Sequence, residues 1–340
     1  MHLKHLSLTH FRNYARLELD LPARISVFQG GNAQGKTNLL EAIYYLATTK
    51  SPLASSDRQL INWAAEREVI PYARVEGLFT RAGQDHTIEM TLVKEPQPTD
   101  DGVATSFRRQ IRLDGVARRA LDAVGTLNVV LFLPEDISLV AGSPAQRRRY
   151  LDITLCQIDR LYCRSLSRYN RLVRHRNALL RQIRADHADA EQLAYWDEEL
   201  SSLGAYLLSR RLWAVGELDR QARRAHLALT GDQERLELKY RSSLAERLST
   251  RPARPSEGEA NTARSAGDAV HRSDLAASFL RALRAARLEE IARGVTVLGP
   301  HRDDLRFLVN GRDATAPTVA LRQAQGDFAL KLAEVELLHH

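Results

Sequence analysis

The chain has 340 residues and a formal net charge of +7, from 49 Lys and Arg against 42 Asp and Glu. A hydrophobic content of 44% with 27% charged residues excludes a disordered polyelectrolyte and fits a globular chain with room for two domains, or one α/β domain with an insertion. There is no apolar run of about 18 residues, the N-terminus alternates too early for a signal peptide, and two cysteines are too few for a zinc site, so the expectation is no membrane segment and a cytoplasmic location.

Residues 3–9 and 16–21 alternate apolar and polar side chains and are predicted as two strands joined through Phe11-Arg12-Asn13-Tyr14. Ile25-Ser26-Val27-Phe28 is expected as a short buried strand. It leads into Gly30-Gly31-Asn32-Ala33-Gln34-Gly35-Lys36-Thr37, which fits the phosphate-loop pattern: two glycines separated by four residues, then Lys and Thr. Glycines let successive backbone N–H groups turn toward one anion, and the following helix adds its positive end. Lys36 is placed to reach the outer phosphates of a nucleotide and the Thr37 hydroxyl to ligate Mg²⁺. Asn38–Ala47 reads as that helix, with apolar residues at 39, 40, 43, 46 and 47.

Residues 69–79 and 86–93 read as further strands. Pro96, Pro98, Asp100, Asp101 and Gly102 mark a loop over 94–106, and 107–113 is a strand turning at Asp114-Gly115. Val129-Val130-Leu131-Phe132 is expected as a buried strand. From residue 144 the pattern becomes helical, with Ser143 as N-cap and Pro144 in the first turn. Leu166, Tyr169, Leu172 and Val173, and then Leu200, Leu203, Tyr206 and Leu207, predict two long helices joined near 185–189 as an antiparallel arm. Cys156 and Cys163 sit two helical turns apart, as if on one face. Residues 251–274 read as a flexible loop, 275–292 as helix, and Val295-Thr296-Val297-Leu298 as a strand. The expected division is 1–142 for a head with the phosphate loop, 143–292 for a helical insertion, and 293–340 for a return to the head.

The basic residues cluster as Arg108-Arg109, Arg118-Arg119, Arg147-Arg148-Arg149, Arg174-His175-Arg176, Arg210-Arg211 and Arg223-Arg224. Guanidinium forks suit phosphates, whereas any single pair is more simply a solvated helix face. His301-Arg302-Asp303-Asp304 suits a site or a capped turn equally.

Several segments, in order, resemble the RecF family of bacterial DNA recombination and repair proteins. These are Phe11–Tyr14, Gly30–Ile43, Phe132-Leu133-Pro134-Glu135-Asp136, Gly142–Pro144, Arg147–Asp152, Tyr169-Asn170-Arg171, Arg176–Leu180 and Gly299–Leu305. The resemblance implies an α/β fold, a P-loop NTPase head of ABC/SMC type with an inserted α-helical arm. It further implies ATP and Mg²⁺ as cofactors, an ATP-dependent homodimer, and binding to single-stranded or gapped DNA. The implied partners are RecR and RecO, and the implied roles are recombinational repair, replication and the SOS response. Gly30, Gly31, Asn32, Ala33, Gln34, Gly35, Lys36 and Thr37 carry over as the ATP loop, Thr37 as the metal contact, and Arg12 as a residue near the nucleotide.

Two elements of that class are not found. A Ser-Arg-Gly-Gln-like signature belongs just before Ala329–Glu334, where Ala316–Phe328 reads otherwise, and no apolar strand with an acidic end follows before His340. The expectation is a chain truncated before that strand, with a local frameshift around 316–328. Alternative readings are a remnant that binds nucleotide without hydrolysis and, from another class, a small-molecule P-loop kinase.

Overall fold

The computed structural model describes residues 1–99, 102–133, 139–249, 266–314 and 320–339, which fall into two compact units, Met1–Leu131 and Phe132–His340. The first contains β1 (His2–Phe11), β2 (Tyr14–Asp20), α1 (Lys36–Thr48), β3 (Tyr72–Arg81), β4 (Gln84–Thr99), β5 (Gly102–Leu113), β6 (Val116–Arg118) and a short α2 (Ala120–Ala123). The strands form one antiparallel sheet in the order β2-β1-β3-β4-β5-β6. Strand alternation puts Leu6 and Leu8, Val75 and Phe79, and Ile88 and Met90 on one face, all buried. Helix α1 lays Leu39, Ala42, Tyr45 and Leu46 on that face. Each fully buried leucine there contributes about 2 kcal/mol. Gly77 on β3 lets the helix approach, because a Cβ there would lie 2.9 Å from Leu46 Cδ1 and 3.0 Å from Leu3 Cδ1.

Ile25–Phe28 and Val129–Phe132, expected as strands, form none. Ile25 and Val27 are 84% and 82% exposed. A strand needs a neighbour to take its N–H and C=O groups in a ladder, and neither segment belongs to a described sheet. Conversely, the loop expected over 94–106 is mostly ladder: β4 runs to Thr99 and pairs with β5 as far as Thr99↔Gly102. Lys94 donates its N–H to Pro71 O at 2.8 Å, on the β3 side. Pro96 and Pro98 share its parity, so their missing donors face beyond the end of the β3 pairing and cost the β5 ladder nothing. Asp100 and Asp101, read as its turn, lie outside the described residues.

The second unit contains α3 (Pro144–Ile158), α4 (Arg160–Arg184), α5 (Leu193–Thr230), β7 (Leu236–Arg241), α6 (Ser243–Ser249), α7 (Ala266–Arg293), β8 (Asp304–Val309), β9 (Arg312–Asp313) and α8 (Ala320–His339). Ser143 and Gln146 close a capping box on α3. Asp159 ends α3 and caps α4 by accepting Tyr162 N–H at 2.9 Å. Cys156 and Cys163 therefore sit on different helices, both buried and neither in a disulfide, rather than on one. Helices α4 and α5 pack antiparallel, with Leu179, Leu180, Ile183 and Leu193 clustered near the turn.

Val295–Leu298 is not a strand. The strand after it is β8, which pairs with β7 (Leu236↔Val309), and β9 completes a three-stranded antiparallel sheet. Residues 266–274, read as part of a flexible loop, begin α7. They contain one glycine and no proline, so the helix fixed by the apolar stripe beyond 275 propagates back through them. Residues 250–265, which include the rest of that loop, lie outside the described residues, as do 134–138 and 315–319. Among the described residues no helix is long and apolar enough to cross a membrane.

Candidate nucleotide-binding site

The loop before α1 is held by the turn between β1 and β2. Tyr14 Oη donates to Gly35 O at 3.1 Å, and Asn38 Nδ2 donates to Asn13 Oδ1 at 2.8 Å. Gly35 has φ +99°, and a Cβ there would lie 2.6 Å from Asn13 Nδ2 and 2.9 Å from Tyr14 Oη. Both the backbone angle and the space therefore require glycine. The Phe11–Tyr14 turn is thus the support on which the loop curls.

Lys36 Nζ donates to Gly30 O and Gly31 O, both at 2.7 Å, which places the ammonium inside the curl. Helix α1 starts with no capping side chain and no acidic residue in its first turn. Its first N–H groups and the positive end of its dipole are directed into the loop unopposed by any carboxylate. Thr37 is exposed at the second helical position. A lysine ammonium, bare helical N–H groups and a hard hydroxyl oxygen form a donor set that fits a polyphosphate with its magnesium. All eight predicted loop residues, Gly30 to Thr37, come together here.

Arg12, expected near a nucleotide, pairs with an acid of α1. Its Nε and Nη2 each lie 2.7 Å from one Glu41 carboxylate oxygen, and Nη1 donates to Gln59 O at 2.9 Å. Glu41 is buried and also accepts the Ser51 hydroxyl. Sequence reading passed over Glu41. Its signal was an acid within Leu39-Leu40-Glu41-Ala42-Ile43, one helical turn before Tyr45 on the buried face.

The arginine runs divide in a regular way. In four of them one member is an internal pillar. Arg109 grips Asp57 with two contacts of 2.7 Å and lies over the Tyr45 ring; burial pushes that phenol up to about 12. In the second unit Arg147 pairs with Asp304 at 2.8 Å. Arg176, fully buried, bonds Asp197, Glu290 and Thr296. Arg211 bonds Asp152, Tyr162 and Pro300 O. Their neighbours Arg108, Arg149 and Arg174 are exposed.

Within the His301–Asp304 run, Asp303 is buried and His301 is bonded inside the fold, whereas Arg302 is exposed. Asp303 accepts from Ser243 N at 2.7 Å, Ser243 Oγ at 2.7 Å and Tyr240 Oη at 2.8 Å. Tyr169 Oη lies 2.9 Å from His301 Nδ1, and His301 Nε2 lies 3.2 Å from Thr296 O. A carbonyl only accepts, so Nε2 carries the proton and Nδ1 accepts from the tyrosine. Burial pushes His301 down to about 4 and holds the Asp303 and Glu290 carboxyls above their ordinary values.

Comparison with known proteins agrees with this geometry. Residues 5–122 match a family model described as an AAA domain. Over 99% of its length the chain is 41% identical to the DNA replication and repair protein RecF of Chloroflexus aurantiacus, spanning 82% of that protein. The RecF protein of Roseiflexus castenholzii gives the same figures, and that of Bacillus velezensis is 33% identical over the whole chain. A solved structure of the recombination mediator protein RecF with ATP, from the RecFOR pathway, superposes with a TM-score of 0.81 at 25% identity, covering 99% of this chain and 81% of that one.

The fold and its loop define a P-loop ATPase of the ABC/SMC type. Within that class, the chain belongs to the RecF family of DNA replication and repair proteins. Similarity across almost the whole chain leaves the small-molecule kinase reading without support.

Proposed function

We propose that Gly30–Thr37 is the ATP site. The backbone of Gly30, Gly31, Asn32, Ala33, Gln34 and Gly35 cradles the phosphates. Lys36 neutralises the outer ones, and Thr37 contributes a magnesium ligand. The observation that carries this is the Lys36 ammonium, which already sits against the loop carbonyls at 2.7 Å, where a phosphate oxygen would exchange for them. On this reading residues 1–142 and 293–340 form the ATPase head and 143–292 the arm.

The protein uses ATP to dimerise and to bind single-stranded or gapped DNA. It acts in the cytoplasm with RecR and RecO, in recombinational repair, replication and the SOS response. The name and ATP-bound structure of its relatives support this assignment. Light scattering with and without Mg·ATP and a gapped duplex tests it. The expected result is a nucleotide-dependent rise from monomer to dimer mass with DNA bound. A mass that ignores nucleotide, with no DNA retained, would overturn it.

A further inference from the structure

Helix α4 carries eight arginines and one histidine in 25 residues, and neither Asp nor Glu. Its buried face is made of Tyr162, Tyr169, Leu172, Val173, Leu180 and Ile183, with Arg176 paired internally. On the opposite side Arg160, Arg164, Arg168, Arg171, Arg174 and Arg181 are all exposed. At 3.6 residues per turn these six fall within about 140° of the helix circumference and extend over about 32 Å. The whole chain has a net charge of only +7, so six cations on one helix face are a concentrated field. Arg168 also meets Glu199 of α5.

Structural stability does not call for such a stripe. Like charges three and four residues apart on a helix repel. A linear polyanion relieves that repulsion. Duplex DNA carries one negative charge per about 1.7 Å of its axis, so a line of guanidinium groups about 32 Å long faces a dense field of phosphates whatever the base sequence. Guanidinium rather than ammonium matches phosphate with two parallel donors. We infer that the outer face of α4 is a phosphate track for DNA, read through the backbone and without sequence preference. This rests on the DNA-binding reading above and assigns it to one surface.

The test is fluorescence anisotropy of a labelled gapped duplex with the full chain, titrated between about 50 and 200 mM salt. Alanine is a strong helix former, so the triple variant R160A/R171A/R174A keeps α4 intact, which circular dichroism checks. Its affinity is expected to fall roughly ten- to hundredfold, and the slope of log affinity against log salt to become shallower by about 2 to 3. R160K/R171K/R174K should keep the slope, and two unrelated sequences should bind alike. Unchanged affinity and slope in the alanine variant, with the wild type binding DNA, would overturn the track and leave the DNA-binding reading standing. A wild type that binds no DNA would overturn both. Poly-glutamate binding as tightly as DNA, with the same loss in the variant, would overturn the nucleic-acid assignment.

Discussion

Arg12 and Glu41 form a two-pronged ion pair, with Nε and Nη2 each 2.7 Å from one carboxylate oxygen. The pair ties the β1–β2 turn to the helix that follows the phosphate loop, and Glu41 is fully buried. Removing one partner strands the other charge in a poorly solvated place. Glu41→Ala is therefore expected to destabilise the first unit by about 3 kcal/mol, seen as a lower urea midpoint. A midpoint within error of wild type would show that the pair contributes nothing.

Gly35→Ala separates support of the loop from its charge. The added methyl meets Asn13 Nδ2 at 2.6 Å and Tyr14 Oη at 2.9 Å, on a residue already at φ +99°. The variant keeps Lys36 and Thr37 but should bind ATP at least tenfold more weakly, because the curl can no longer close. Asn13→Ala with Gly35→Ala should recover part of the loss by removing the nearest obstacle. No recovery and no initial loss would refute the role given to the turn.

Arg176 is the strongest test of the second unit's core. It lies among Asp197, Glu290 and Thr296 with both acids wholly buried. Arg176→Met leaves Asp197 with Arg287 as its remaining cation and Glu290 with the Val297 N–H alone, and should cost about 3 kcal/mol. Replacing the triad together by apolar residues of similar volume should recover much of that cost. Equal instability in the single and triple variants would argue that packing, not charge pairing, decides the site.

His301 gives a pH signature. In the fold it stays neutral down to about pH 4, whereas an unfolded histidine takes a proton near 6.5. The unfolded chain therefore binds more protons in that window, and stability falls as the pH drops through it. Between about pH 7 and 5.5 the share from His301 is about 1 kcal/mol. Asp303 and Glu290, held above their ordinary values, act in the opposite direction at lower pH, where the folded state keeps their protons. Urea midpoints at the two pH values should show a smaller difference in His301→Gln than in wild type. An identical difference would remove His301 from the pH response.

Local rules made the loop, the β1–β2 hairpin, the β5–β6 turn at Asp114-Gly115 and the long α4 and α5 legible, because glycine positions, alternation and apolar spacing act within a few residues. What failed depended on partners distant in sequence. Ile25–Phe28 is as apolar as a core strand and pairs with nothing described. Pro96 and Pro98 look like breakers until the side on which β3 ends is known. Arginine runs suggested a surface, yet Arg147, Arg176 and Arg211 point inward, since their acids lie between 21 and 157 residues away.

ATP binding by Lys36→Ala is the most direct measurement of the nucleotide site. Isothermal titration with Mg·ATP should show wild type binding and the variant at least a hundredfold weaker, with unchanged circular dichroism, because the ammonium between Gly30 O and Gly31 O is the principal positive charge offered to the phosphates. Equal ATP affinity in the two proteins would contradict the assignment of Gly30–Thr37 as the site.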